Sequence, residues 1–152
     1  MSVDLNTYLE QQLLKEENCV GMYTRFAGIA ADAGLREMFH EFGRQAQVHR
    51  DLLRSILERQ GVAQDGVIQN RVTGEAMFSG SGGVGQPGEP PVRGRDEDMV
   101  ADSLLAMREM SESYRSLLRM VSDESIAEAL IGMRKDEDRQ KEQLARYLHQ
   151  RG

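Results

Sequence analysis

The stretch AADAGLREMFHEFGRQAQVHRDLLRSILERQG, residues 30–61, places Leu35, Phe39, Phe42, Ala46, His49, Leu53 and Ile56 at alternating steps of four and three. That rhythm is one face of an α-helix. His49 keeps the spacing but breaks the chemistry, setting an imidazole where a leucine would be expected. Asp32 in front of the run is a helix N-cap, and Gly61 behind it suits a C-terminal cap.

Working outward, residues 4–31 repeat the pattern through Leu9, Leu13, Val20, Tyr23, Ala27 and Ala30, with Glu16 as the one charged seam position. Cys19, Met22, Phe26 and Ile29 form a second stripe beside it, so the apolar face is wide enough for a bundle. The connection to the helix at 33–60 is short, which makes the two helices antiparallel neighbours. A third helix is expected over 96–121, capped by Asp96, with Val100, Leu104, Met107, Ser111, Tyr114, Leu118 and Val121 on its seam. After the break SDES at 122–125, Ser125 and Glu128 make a capping-box pattern for a fourth helix at 125–150. Its seam is Ile126, Leu130, Met133, Glu137, Gln140, Leu144 and Tyr147.

Between the two helix pairs, residues 62–95 hold eight of the fifteen glycines and all three prolines. This is a crossover or linker by composition, and GVIQNRVTGEAMF within it is not assigned as a strand. The segment could reach roughly 110 Å fully extended, enough to run back along a helix. The expectation is a single all-α domain over 1–152: an antiparallel four-helix bundle with a long Gly/Pro-rich crossover between helices 2 and 3.

A chain of 152 residues with net charge −6 and no Lys/Arg cluster is not expected to bind nucleic acid. Cys19 is the only cysteine, which rules out an internal disulfide and a thiolate metal cluster. The start MSVDLNTYLEQQLLKEEN has no basic region followed by an apolar core, and no run of about 18 apolar residues occurs. No membrane insertion and a cytoplasmic location are expected. His40 is expected in the core or at an interface, His149 in solvent, and Cys19 as a buried, inert thiol.

Offsetting the chain by 91 residues aligns 13–61 with 104–152 without a gap. Leu13 and Leu14 meet Leu104 and Leu105, Tyr23 meets Tyr114, Asp32 meets Asp123, and Gly61 meets Gly152. The non-apolar seam positions then fall into one layer: Glu16 against Met107, Ala46 against Glu137, and His49 against Gln140. In ferritin-like di-iron bundles, two helices each give a Glu and the other two each give an E-x-x-H pair, whose spacing of three puts both side chains on one helix face.

EENCVGMYTRFAGIAADAG, with Glu16 seven residues before Tyr23 in a YxxFA context, resembles the first helix of rubrerythrin and other ferritin-like proteins. The hairpin at 30–61 and its counterpart VSDESIAEALIGMRKDEDRQKEQLARYLHQRG at 121–152 also resemble the spore-coat F family, a ferritin-like branch. The resemblance covers all four helices but not the crossover. A full set in that plan would have Glu at 16, 46, 107 and 137 and His at 49 and 140. Here Ala46, Met107 and Gln140 depart from it, which leaves roughly one site of two and argues against a paired-iron oxidase.

The resemblance implies Glu16, His49 and Glu137 as candidate ligands of one Fe, Mn or Zn ion, with Gln140 a weaker candidate. If no ion binds, the same residues form a hydrogen-bonded polar layer. The function expected first is a structural or assembly protein of spore-coat F type, a homodimer that meets other coat or assembly proteins and can reside in a spore coat. The alternative is a ferritin-like metal-binding oxidoreductase or storage protein with a reduced, single-ion site. No catalytic residue is assigned.

Overall fold

A computed structural model of the chain describes residues 2–62 and 93–151. Among these residues there are four helices and no strand: α1 Ser2–Ile29, α2 Ala33–Arg59, α3 Arg93–Leu118 and α4 Glu124–Arg151. They form a four-helix bundle in which α1 packs most extensively on α2, and α3 on α4, with smaller contacts joining α1 to α3 and α2 to α4.

The turn between α1 and α2 is built as its residues suggest. Asp32 caps α2, its carboxylate accepting the Leu35 N–H at 2.9 Å. At the far end Gly61 takes the left-handed conformation, φ 80°. The Gly61 and Val62 N–H groups then donate back to the carbonyls of Glu58 and Leu57, both at 3.0 Å. This pairing satisfies two carbonyls that the helix end would otherwise orphan.

Two start signals differ from expectation. Asp96 does not cap α3, which begins at Arg93. Instead Asp96 reaches across to the α1–α2 turn, where one carboxylate oxygen accepts the Ala31 N–H at 2.9 Å and the other the Asp32 N–H at 3.0 Å. From the other side Arg36 donates to the carbonyls of Ala30 and Ala31 at 2.8 and 3.0 Å. A side chain in the first turn of a helix is thus spent on a neighbouring turn whose backbone groups have no helical partner. Asp96→Ala is expected to destabilise the protein by about 1–2 kcal/mol, the usual effect of removing a cap, read as a lowered urea midpoint with an unchanged m-value.

The second correction concerns α4. Its cap is Asp123, whose carboxylate accepts the Ile126 N–H at 3.0 Å, rather than Ser125, which lies exposed inside the first turn. Asp32 and Asp123 are partners under the 91-residue offset, and each caps the N–H three residues on. α3 also ends at Leu118, three residues before the expected Val121, in a turn closed by Arg119 and Met120 N–H groups on the carbonyls of Ser116 and Leu117.

The Asp96 contact also fixes the topology. The start of α3 lies beside the end of α1, while Gln60 at the end of α2 donates to Asn6 near the start of α1 at 3.1 Å. The chain therefore leaves the bundle at one end and re-enters at the other. Of the Gly/Pro-rich crossover expected over 62–95, residues 63–92 lie outside the described residues, and 93–95 already belong to α3.

The expected seams are buried for the most part, but Val20 on α1 and Leu104, Leu118 and Val121 of the third seam are only partly covered. On α2 every seam position from Leu35 to Ile56 is in the core, and on α4 only Tyr147 is partly covered. Tyr23, Phe26, Phe39 and Phe42 pack with ring centroids 5.3–6.4 Å apart. α3 buries a second stripe that includes Met99, Ala106 and Met110. His40 is not in the core, one of the two places expected for it: it is exposed, as is Ile131, its partner under the offset. The offset pairs them properly, but both point outward because neither lies on a seam. His149 is exposed as expected. No described helix is long and apolar enough to cross a membrane.

Candidate metal centre

Midway along the bundle, each helix contributes one polar side chain to a buried layer. α1 supplies Glu16, fully buried, because its position continues the Leu9–Leu13 seam. The adjacent Glu17 lies at the helix margin instead and pairs with Arg50 and Arg54 at 3.4 and 3.3 Å. α2 supplies His49 and α4 supplies Glu137, both buried on their seams. α3 supplies Tyr114, whose hydroxyl donates to Glu16 Oε2.

His49 Nδ1 stands 3.1 Å from Glu16 Oε2 and 3.5 Å from Glu137 Oε2. One potential ligand atom from each of the three lies within 4.8 Å of the other two. Ligand atoms bound at about 2.0–2.2 Å from a common ion stand roughly 3–4 Å apart, so the spacing needs only slight contraction to hold one. The other carboxylate oxygen of Glu16, Oε1, is buried without a hydrogen-bond partner. A buried acceptor left open is costly unless something binds it. Two carboxylates and an imidazole with an open oxygen fit a divalent transition ion with further positions for water.

The sequence reading missed Asp136. Its carboxylate accepts from His49 Nε2 at 2.9 Å, while its other oxygen meets Arg139 at 3.0 Å nearer the surface. A carboxylate on one ring nitrogen directs the other nitrogen toward the centre, the arrangement that orients metal-bound histidines. Nothing in the sequence distinguishes Asp136 beyond its place next to Glu137, one step off the seam. Tyr114 was legible only as a seam residue. A buried phenol requires a partner for its hydroxyl, which is the one signal that pointed to a polar neighbour.

Gln140 is buried as expected but takes no part in this group. Its amide donates to Gln45 on α2, and its Oε1 has no partner. Ala46 and Met107 are buried apolar residues at the positions where the ferritin-like resemblance implies carboxylates. The layer is therefore one-sided.

Electrostatics follow from this crowding. Burial alone would lower the His49 pKa, but its hydrogen bonds to Glu137 and Glu16, with Asp136 beyond, raise it to about 11. Without a metal, His49 is thus an imidazolium held between carboxylates. Burial and the nearby Glu16 charge raise Glu137 to about 7, against the opposing pull of His49. Burial and the same two glutamates push the Tyr114 hydroxyl well above its ordinary value, so it remains a neutral donor.

Cys19, also buried, is pushed well above the usual thiol range by burial and by Glu16 and Glu137. Its thiolate is both scarce and shielded. In native buffer at pH 8, Cys19 is expected to react with a thiol-specific disulfide reagent at least about a hundredfold more slowly than in denaturant. Equal rates, followed by absorbance, would contradict the burial.

Comparison of the chain with family models, with curated proteins and with solved structures found no match.

Proposed function

We propose that this protein is a ferritin-like bundle that binds one divalent transition-metal ion through Glu16, His49 Nδ1 and Glu137, with Asp136 orienting the imidazole. The observation that carries this reading is the convergence of three buried ligand atoms from three helices beside an open Glu16 oxygen. Loss of the second set of ligands to Ala46 and Met107 favours one ion over two. Fe, Mn and Zn all suit the donor set, and a bound ion would supply Lewis acidity, with electron transfer added for Fe or Mn. Tyr114 holds Glu16 in place by hydrogen bonding, and Asp136 keeps a proton on Nε2 so that Nδ1 faces inward. These roles describe binding, and no reaction is assigned to them.

Elemental analysis of protein expressed with abundant Fe, Mn and Zn tests the reading. About one ion per chain is expected, and Glu16→Ala and His49→Ala are each expected to weaken binding by at least about tenfold. No stoichiometric ion in the wild-type protein would sink the proposal.

A second reading is the structural or assembly role of spore-coat F type, as a homodimer or with other coat proteins. It draws on Val48 and Leu52, apolar residues one turn apart on α2 that are 56% and 42% exposed. In that case the polar layer is dispensable. Variants with the layer replaced by apolar residues of similar volume would then assemble as the wild type does, and assembly lost with the fold intact would count against this role.

A further inference from the structure

The contact between α1 and α3 is filled at one end and open at the other. At the open end Gln11, Gln12 and Lys15 of α1 and Ser113, Ser116 and Leu117 of α3 border a pocket of about 380 Å³. Each set recurs at helical spacing, so each occupies one face of its helix. Under the 91-residue offset, carried two positions beyond the aligned 13–61, these residues correspond to Asp102, Ser103 and Ala106, and to Met22, Arg25 and Phe26, at the other end of the same two helices. There Met22, Phe26, Ser103 and Ala106 are buried. Ser113 in place of Met22 and Leu117 in place of Phe26 remove side-chain volume at the open end. The facing residues of α1, Gln11, Gln12 and Lys15, are polar and line the space that remains.

Lys15 determines what the space can take. Its Nζ donates to Ser113 Oγ at 2.7 Å, and among the described residues no carboxylate lies within ion-pair distance of it. A half-buried ammonium without a counterion favours an incoming anion. One positive charge matches a single negative one, and the hydroxyl of Ser116 and the amide of Gln11 supply further donors. Leu117 and Met120 provide an apolar wall. The volume falls in the range of small-molecule sites, which combine such a wall with a few placed polar groups.

We propose that this pocket binds a small organic monoanion, a carboxylate with a short aliphatic chain, with its carboxylate on Lys15 Nζ and its chain against Leu117 and Met120. The pocket shares no lining residue with the metal centre, although Lys15 and Ser113 are the chain neighbours of Glu16 and Tyr114, and its test is run on chelator-treated protein.

Titrating hexanoate into the isotope-labelled full chain, followed by amide NMR shifts, tests the proposal. Saturable shifts are expected around Gln12, Lys15, Ser113 and Leu117. Hexanamide, of equal length but neutral, is expected to bind at least about tenfold more weakly, as is hexanoate to Lys15→Met. Ser113→Met, which places at this end the side chain that Met22 supplies at the other, is expected to abolish the shifts and raise Tm. No saturable shifts at millimolar hexanoate, or less than about tenfold discrimination against hexanamide, would overturn the assignment. Should Lys15→Met fail to fold, the hexanamide comparison and Ser113→Met still decide it.

Discussion

Replacing His49 by leucine is expected to destabilise the metal-free protein by about 3–5 kcal/mol, the usual consequence of removing one partner from a buried charge cluster. His49 is the buried cation between Glu16 and Glu137, at 3.1 and 3.5 Å, with Asp136 at 2.9 Å on its other nitrogen. Without it, two carboxylates on the seams of α1 and α4 face each other with no counter-charge. The triple variant Glu16→Leu, His49→Leu, Glu137→Leu separates charge from shape, because it removes all three buried groups together. It should recover most of the loss and can exceed the wild type, since a well-packed apolar layer often equals or outperforms a buried ion pair. Chemical unfolding in the presence of a chelator measures both. A single variant as stable as the wild type would show that the imidazolium contributes nothing to the layer.

The metal-free protein is expected to become steadily less stable from about pH 5 to pH 10. The groups facing His49 are Glu16 from α1 and Asp136 and Glu137 from α4, with the Tyr114 ring of α3 packed at 6.3 Å. Raised to about 11 from 6.5, His49 holds its proton more tightly in the folded state. Its stabilising contribution is therefore complete below pH 6.5 and is lost as pH climbs through about 11. Glu137 moves from 4.5 to about 7, so its protonated form is also favoured by folding. That contribution is complete below pH 4.5 and lost as pH rises through about 7. Both act in the same direction.

A bound ion reverses the trend, because it needs Nδ1 and the carboxylates free of protons. The gap in Tm between the zinc-loaded and chelator-treated protein should therefore widen with pH. The triple leucine variant supplies the baseline for other titrating groups and should lack this slope. A metal-free wild type whose Tm rises with pH relative to that baseline would contradict the proton-bound layer.

Much of this was legible in residue spacing. The steps of three and four picked Glu16 over Glu17 and turned His49, Glu137 and Gln140 inward, because a period of 3.6 residues decides which face meets the core. Asp32 and Gly61 were recognisable as caps because their roles need only the backbone within a few residues. Asp96 and Asp136 were not, since each serves a group on another helix and no local pattern records which helix stands opposite. Ser125 misled for a related reason. It offered a plausible capping pattern, but Asp123, two residues earlier, occupies the start of α4 and accepts the Ile126 N–H. His40 misled because pairing with an apolar residue under the repeat says that two positions are equivalent, not that they are buried.

Residue spacing alone is enough to place the four helices among the described residues, most of the side chains each one buries, and the polar layer among them. Those properties follow from periodicity along single helices. The convergence of Glu16, His49 and Glu137 while Gln140 turns to Gln45, the hold of Asp136 on the second nitrogen of His49, and the open end of the α1–α3 contact appear only in the packed bundle. These depend on the distance and rotation between helices, which packing of the whole bundle sets and no single stretch of sequence encodes.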